Sequence, residues 1–249
     1  MRLEKWYCDV LDNGVIQVHY LATLYLGKTS ISYSGIMTSE GVKQSTFMLG
    51  SIKLPSLKNN QLFWHIGDEE LIFTSKSKPI SGIALWQTAK ENLSWQPLML
   101  NANVCGPLFS TNARGYAEVL SLDFGPWKLG LKTLIWGRFC SQQTSLVWII
   151  WEGKQPMHLA LLDGNRVQLR SANEMRVDVE GAHLEMTHPQ VLIQDRLDHG
   201  SLKDFPLRGP LSKLEFLRGY EEKWHSPAIL NTPQGVEHGY AVYERVTWN

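Results

Sequence analysis

The sequence is poor in the features by which most enzymes announce themselves. Its three cysteines, Cys8, Cys105 and Cys140, are odd in number and widely spaced, with no C-x-x-C pair, which argues against a disulfide framework. Charge of one sign is missing too. The 24 basic and 24 acidic residues cancel, and no Lys/Arg run breaks the balance, so the usual electrostatic footprint for nucleic acid is absent. No apolar run approaches the roughly 20 residues that span a bilayer. The opening "MRLEKWYCDV" carries charges where a signal peptide has its apolar stretch. These absences point to a cytoplasmic protein without an integral membrane segment. There is no Gly-x-Ser-x-Gly elbow, P-loop or Gly-x-Gly-x-x-Gly, which disfavours triad hydrolases, NTPases and nicotinamide enzymes. The eight histidines are scattered, and His183 and His188 in "HLEMTH" have neither H-x-x-x-H spacing nor a third ligand. The expectation is no metal and no cofactor.

What is present is material for a core. Hydrophobic residues make up 43% of the 249, and ten are tryptophans, whose large apolar area suits cores and apolar pockets. Strand-like runs dominate: Val15–Leu26, Thr29–Met37, Ile80–Thr88, Thr144–Glu152 and His238–Trp248. All are rich in β-branched and aromatic residues and broken by Asp12-Asn13-Gly14 and Asp163-Gly164-Asn165. The best helical pattern is the short Pro210–Tyr220. An all-β antiparallel barrel or sandwich with little helix follows.

Two echoes indicate a duplicated layout. "RGYAEVLSL" and "HGYAVYERV" share Gly-Tyr-Ala about half a chain apart, and each half opens on a Trp-led strand. The predicted units are 1–124 and 131–249, separated by the Gly- and Pro-bearing "FGPWKLGL". Each has the size of one antiparallel barrel, either filled by side chains or holding a small ligand.

Three segments carry a family resemblance: Trp6-Tyr7, the Gly-Tyr-x-Glu strand Arg114–Glu118, and Trp136–Phe139. Together they resemble the lipocalin-like superfamily of hydroxyneurosporene synthase (the carotenoid hydratase), with tocopherol cyclase and the fungal lipocalin-like Diels–Alderases as more distant relatives. The resemblance implies two tandem lipocalin-like barrels. It also implies cofactor-independent hydration, cyclisation or cycloaddition of an apolar isoprenoid, polyene or polyketide-like compound. This chain is shorter than typical members, and Ala113 or Arg114 stands where the motif has its first glycine.

One acid stands out. On a strand, Tyr116, Glu118, Leu120 and Phe124 share a face, which puts a carboxylate in an aromatic and aliphatic row. A buried carboxylate requires a partner or a proton, and Arg138, on a strand taken as the neighbour, is the natural partner. The pair reads either as a structural ion pair fixing register or as part of a site. In the site reading Glu118 is general acid or base and Tyr116 a hydrogen-bond donor. Trp136 and Trp148 then offer indole faces to a cation. On Val15–Leu26 the odd positions, including His19 and Tyr25, line a mixed cavity. His238 and Tyr240 mirror the Glu118 region in the second half, and Asp9 is read as exposed near a turn. Three functions stay open: a cyclase- or hydratase-type enzyme, a non-catalytic carrier of an apolar molecule, and a packed structural protein. The sequence does not address oligomeric state.

Overall fold

A computed structural model describes residues 1–67, 69–75, 79–200 and 215–248. Most of them are strand, with almost no helix. The first sheet begins with β1 (Arg2–Asp12), β2 (Val15–Leu26), β3 (Thr29–Thr38) and β4 (Gly41–Leu49). The shorter β5 (Ser56–Lys58), β6 (Gln61–Ile66), β7 (Glu69–Thr74) and β8 (Ile83–Gln87) follow. The long β9 (Asn92–Cys105) and β10 (Arg114–Leu122) complete it. After a single 3-10 turn at Pro126–Leu129 the second sheet repeats the plan. It opens with β11 (Leu131–Cys140), β12 (Ser145–Gly153), β13 (Met157–Leu162) and β14 (Asn165–Val167). Four short strands come next: β15 (Leu169–Ala172), β16 (Arg176–Val179), β17 (Ala182–Met186) and β18 (Gln190–Arg196). It closes with β19 (Tyr220–Thr232) and β20 (Gly235–Thr247).

Turn chemistry explains the joints. Asn13-Gly14 and Asp163-Gly164 are two-residue hairpin loops in which both residues have positive φ (49° and 82°; 48° and 79°). That is the type I′ geometry matching the strands' right-handed twist, and Asn-Gly and Asp-Gly suit it best. The helical pattern of Pro210–Tyr220 does not materialise as a helix. Positions 210–214 lie outside the described residues, Glu215–Arg218 forms one 3-10 turn, and Tyr220 already belongs to β19.

The strand order is β4-β3-β2-β1-β10-β9-β7-β6-β5 in one sheet and β14-β13-β12-β11-β20-β19-β17-β16-β15 in the other. Every strand of the second sheet occupies the place of the strand ten earlier. Even the off-path strands agree, with β8 on β9 and β18 on β19. The described residues divide into two compact units, Met1–Lys128 and those from Leu129 onward. The architecture is that of tandem lipocalin-like barrels. In the second unit β13 comes alongside β15, so the sheet nearly closes. In the first, β4 and β5 are not paired with each other among the described residues.

Each unit has a core on one face of its sheet. In the first, Cys8, Val10, Leu21, Leu62, Trp64, Phe73, Met99 and Ala117 pack on one face of the curled sheet. In the second, Phe139, Leu146, Trp148, Leu184, Leu230 and Tyr243 do the same. The strands at the middle of each sheet are unusual in being buried on both faces. Tyr7–Val10 of β1, Gly115–Glu118 of β10, Trp136–Cys140 of β11 and Ser145–Trp151 of β12 are continuous buried runs.

The Gly-Tyr-Ala echo has a packing cause. A Cβ on Gly115 would come within 2.6 Å of Val104 and 2.9 Å of the Asp9 carbonyl oxygen, and one on Gly239 would overlap the Cys140 carbonyl. Asp9 pairs with Tyr116 and Cys140 with Tyr240, so the two carbonyls occupy equivalent places. Each last strand approaches its first strand too closely for any side chain at that glycine.

Candidate functional site

The register decides which side chains meet. On β1 and β10, Tyr7 lies opposite Glu118 and Asp9 opposite Tyr116. These four share the face turned away from the barrel core, because Cys8 and Ala117, opposite each other, belong to the core. The sequence reading had turned Glu118 into the barrel. Period two is right, but the face is the other one. Glu118 is nevertheless only 9% exposed and Tyr116 and Asp9 are fully buried.

Two tyrosine–carboxylate pairs result, running in opposite directions on neighbouring strands. The Tyr116 hydroxyl donates to Glu118 Oε2 at 2.6 Å, and Tyr7 donates to Asp9 Oδ2 at 3.0 Å. Trp95 Nε1 of β9 donates to the same Glu118 oxygen at 2.6 Å. Both are Tyr-x-acid dipeptide steps in which the i and i+2 side chains stand side by side. The Tyr7 ring packs edge-on against Tyr20 at 5.3 Å and tilts towards Tyr116 at 6.2 Å.

Sequence reasoning placed Asp9 in solvent near the turn. Burial corrects this, since Asp9 belongs to the run Tyr7–Val10 covered on both faces. Asp9, Tyr7 and Trp95 were therefore missed. The same period-two logic that singled out Glu118 was available in "YCD", where tyrosine and acid are spaced as in "YAE".

The strand of Arg138 is not the neighbour of the Glu118 strand. β10 pairs with β1 and β9, whereas β11 pairs with β12 and β20 in the other sheet. Arg138 is fully buried in the second unit, and its guanidinium donates to Cys140 Sγ at 2.8 Å. Trp136 shares its face. Trp148 stands on the opposite, core face, opposite Gly137 and 6.5 Å from the Tyr243 ring. Tyr240 is half-buried, and His238 is exposed at the start of its strand. Tyr25 is half-buried near the end of β2, under the Arg2 guanidinium at 5.6 Å. A further charged cluster escaped notice in sequence. Lys223 is fully buried between Glu221, at 3.3 Å, and Glu244.

His19 lies in the first barrel's core face, opposite Cys8 on β1 and Ile36 on β3. It is 2% exposed, and neither ring nitrogen has a hydrogen-bond partner among the described residues. Burial lowers its pKa from 6.5 to about 4, and His225 is lowered by burial as well. Between those two values the unfolded chain takes up a proton that folded His19 refuses. Stability from this source is complete above pH 6.5 and falls by up to about 3 kcal/mol as pH drops to 4. His19→Leu is expected to flatten that part of the curve when urea midpoints are measured from pH 4 to 8. A curve unchanged in slope would contradict the assignment.

No protein-family model matches this sequence, and no curated protein matches it. Solved structures do match in shape. Kievitone hydratase from Nectria haematococca aligns with a TM-score of 0.54 over 98% of this chain and 88% of its own, at 11% identity. CghA in complex with Sch210972 aligns with a TM-score of 0.58 over 100% of this chain and 89% of its own, at 10% identity. At such identities the likeness is one of fold, over nearly the whole of each chain. Among the described residues, no helix is long and apolar enough to cross a membrane.

Proposed function

We propose that the protein is a cofactor-independent enzyme of the hydratase or cyclase type. Its substrate in this reading is an apolar isoprenoid, polyene or polyketide-like molecule. The observation that carries the reading is the pair of Tyr-x-acid steps on β1 and β10, buried and facing away from the barrel core, with Trp95 donating to Glu118. Hydration and cationic cyclisation both need a proton delivered at one point and removed at another. Glu118 would deliver it, and the Tyr7–Asp9 pair would receive it. Tyr116 and Trp95 hold the Glu118 carboxyl in one orientation, so no reorganisation is needed as charge develops. Exclusion of water strengthens each of these interactions. Arg138, Trp136 and Trp148 drop out of this reading, because their strands pair in the second sheet and Trp148 faces that unit's own core. That one neighbour of this fold is named a hydratase agrees with the reading.

The substrate is approached by mass spectrometry of apolar compounds that co-purify with the chain. On the compound so found, Tyr116→Phe is expected to lower kcat about tenfold or more with KM little changed, because the ring stays and only the donor goes. A carrier would bind that compound and leave it unaltered, in wild type and variant alike. That result would end the enzymatic reading.

A further inference from the structure

The ladder of the second unit slips at one point. Leu169 pairs with Val179 and Ser171 with Asp178, so between these pairs β15 carries one residue more than β16. The extra residue is Arg170, and a bulge of this kind re-aims a side chain out of the regular alternation. Arg170 borders a groove of about 350 Å³ that lies wholly within the second unit. That volume suits a small ligand.

Polar side chains of one cross-strand row line the groove. Ser171 of β15 is opposite Asp178 of β16, Asp178 opposite His183 of β17, and His183 opposite Asn231 of β19. The row faces away from the barrel core, because the alternate residues Val177, Leu184 and Leu230 belong to that core. Gly181 and Pro233, from the turns after β16 and β19, border the groove as well. A Cβ on Gly181 would meet nothing within 4 Å, so this turn leaves the entrance open.

Half of these groups are fixed in advance. Asp178 accepts two hydrogen bonds from the Arg176 guanidinium, at 2.9 and 3.0 Å, and one from the Ser171 hydroxyl at 2.9 Å. His183 Nδ1 lies 2.7 Å from Asp178 Oδ1, and its Nε2 lies 2.8 Å from Glu185 Oε1. Both ring nitrogens are thus engaged, and the ring stands as a wall. Arg176 holds the Asp178 carboxyl well below the usual carboxylate range, so it stays charged. Side chains locked in this way lose little freedom when a ligand arrives. The other half are available. Among the described residues, the side chains of Arg170 and Asn231 make no hydrogen bond to protein.

Charge narrows the ligand. An anion drawn to Arg170 also meets Asp178 and Glu185, and a cation drawn to Asp178 meets Arg170 and Arg176. A neutral hydroxyl both donates and accepts. It can therefore accept from Arg170, donate to Asp178 and do either with the Asn231 amide. We propose that this groove binds a neutral sugar, its hydroxyls on Arg170, Asp178 and Asn231 and its C–H face against Pro233 and the His183 ring. The site stands apart from the Tyr116–Glu118 face and does not depend on the catalytic reading above.

Methyl glucoside, methyl galactoside and methyl mannoside are the probes, titrated into the full chain while backbone amide signals are followed by nuclear magnetic resonance. At least one is expected to shift the signals of His183 and Asn231 in the millimolar range. The uronic-acid and amino-sugar counterparts of that glycoside keep its ring and add one negative or one positive charge, and each should bind about tenfold more weakly. Arg170→Ala and Asn231→Ala, both at side chains that make no hydrogen bond to protein, should each weaken binding about tenfold, while Glu118→Gln leaves it intact. Unmoved signals with all three glycosides, a charged counterpart that binds as tightly as the neutral one, or affinity that survives both groove variants would overturn the proposal.

Discussion

Glu118→Gln is expected to lower kcat by roughly two to four orders of magnitude, with affinity for the same compound essentially unchanged. The substitution is nearly isosteric. The amide oxygen can still accept from Trp95 Nε1 and Tyr116 Oη, so the two 2.6 Å hydrogen bonds that orient the side chain retain an acceptor. What disappears is the exchangeable carboxyl proton. A loss confined to kcat marks an interaction made in the transition state, whereas a matching loss of affinity would mark a binding contact. Stability is the control. If Glu118→Gln and wild type unfold alike in urea, lost activity is chemical rather than structural. Unchanged turnover in a folded variant would remove Glu118 from the mechanism.

Gly239→Ala is expected to produce the largest loss of stability from a single methyl group. The new Cβ would overlap the Cys140 carbonyl oxygen and lie 2.7 Å from the Phe139 ring. A flexible side chain could move aside, but a backbone carbonyl in the middle of a ladder cannot do so without breaking the pairing of β11 with β20. Overpacking of this kind is unfavourable by about 3 kcal/mol or more. Gly82→Ala is the matched comparison, because a Cβ there meets nothing within 4 Å, and it should stay within about 0.5 kcal/mol. Because the chain has two compact units, the effect belongs to the unfolding transition of the second. Equal midpoints for the two variants would show that the strand can shift to accept the methyl group.

Much of the fold was legible because strands announce themselves by composition and turns by chemistry. β2 runs over Val15–Leu26 as the sequence predicted, since Asn13-Gly14 and Gly27 bracket an unbroken β-branched and aromatic run. The duplicated order was visible through Gly-Tyr-Ala because a glycine pressed against a carbonyl admits no substitute. The site was only half legible. Alternation groups Tyr116 with Glu118 whatever surrounds them, but it cannot say which face meets the core when both faces are buried. That is why Glu118 was turned inward and His19 placed beside it. Asp9 was misread for a related reason. Nearness in sequence to the turn says little when the strand's middle is covered on both sides. The adjacency assumed for Glu118 and Arg138 failed because the short link between them, Pro126–Leu129, crosses from one sheet to the next instead of closing a hairpin.

The ten-strand offset between the two sheets lets equivalent positions be compared one by one. Aligning Gly115 with Gly239 superimposes Tyr116 on Tyr240, Glu118 on Val242, Tyr7 on Arg138 and Asp9 on Cys140. Of four polar places, the second copy keeps a single phenol and replaces both acids by a valine and a thiol. A doubled scaffold thus carries a built-in comparison: the second half folds with neither of these acids and sets a buried guanidinium, Arg138, where the first has Tyr7.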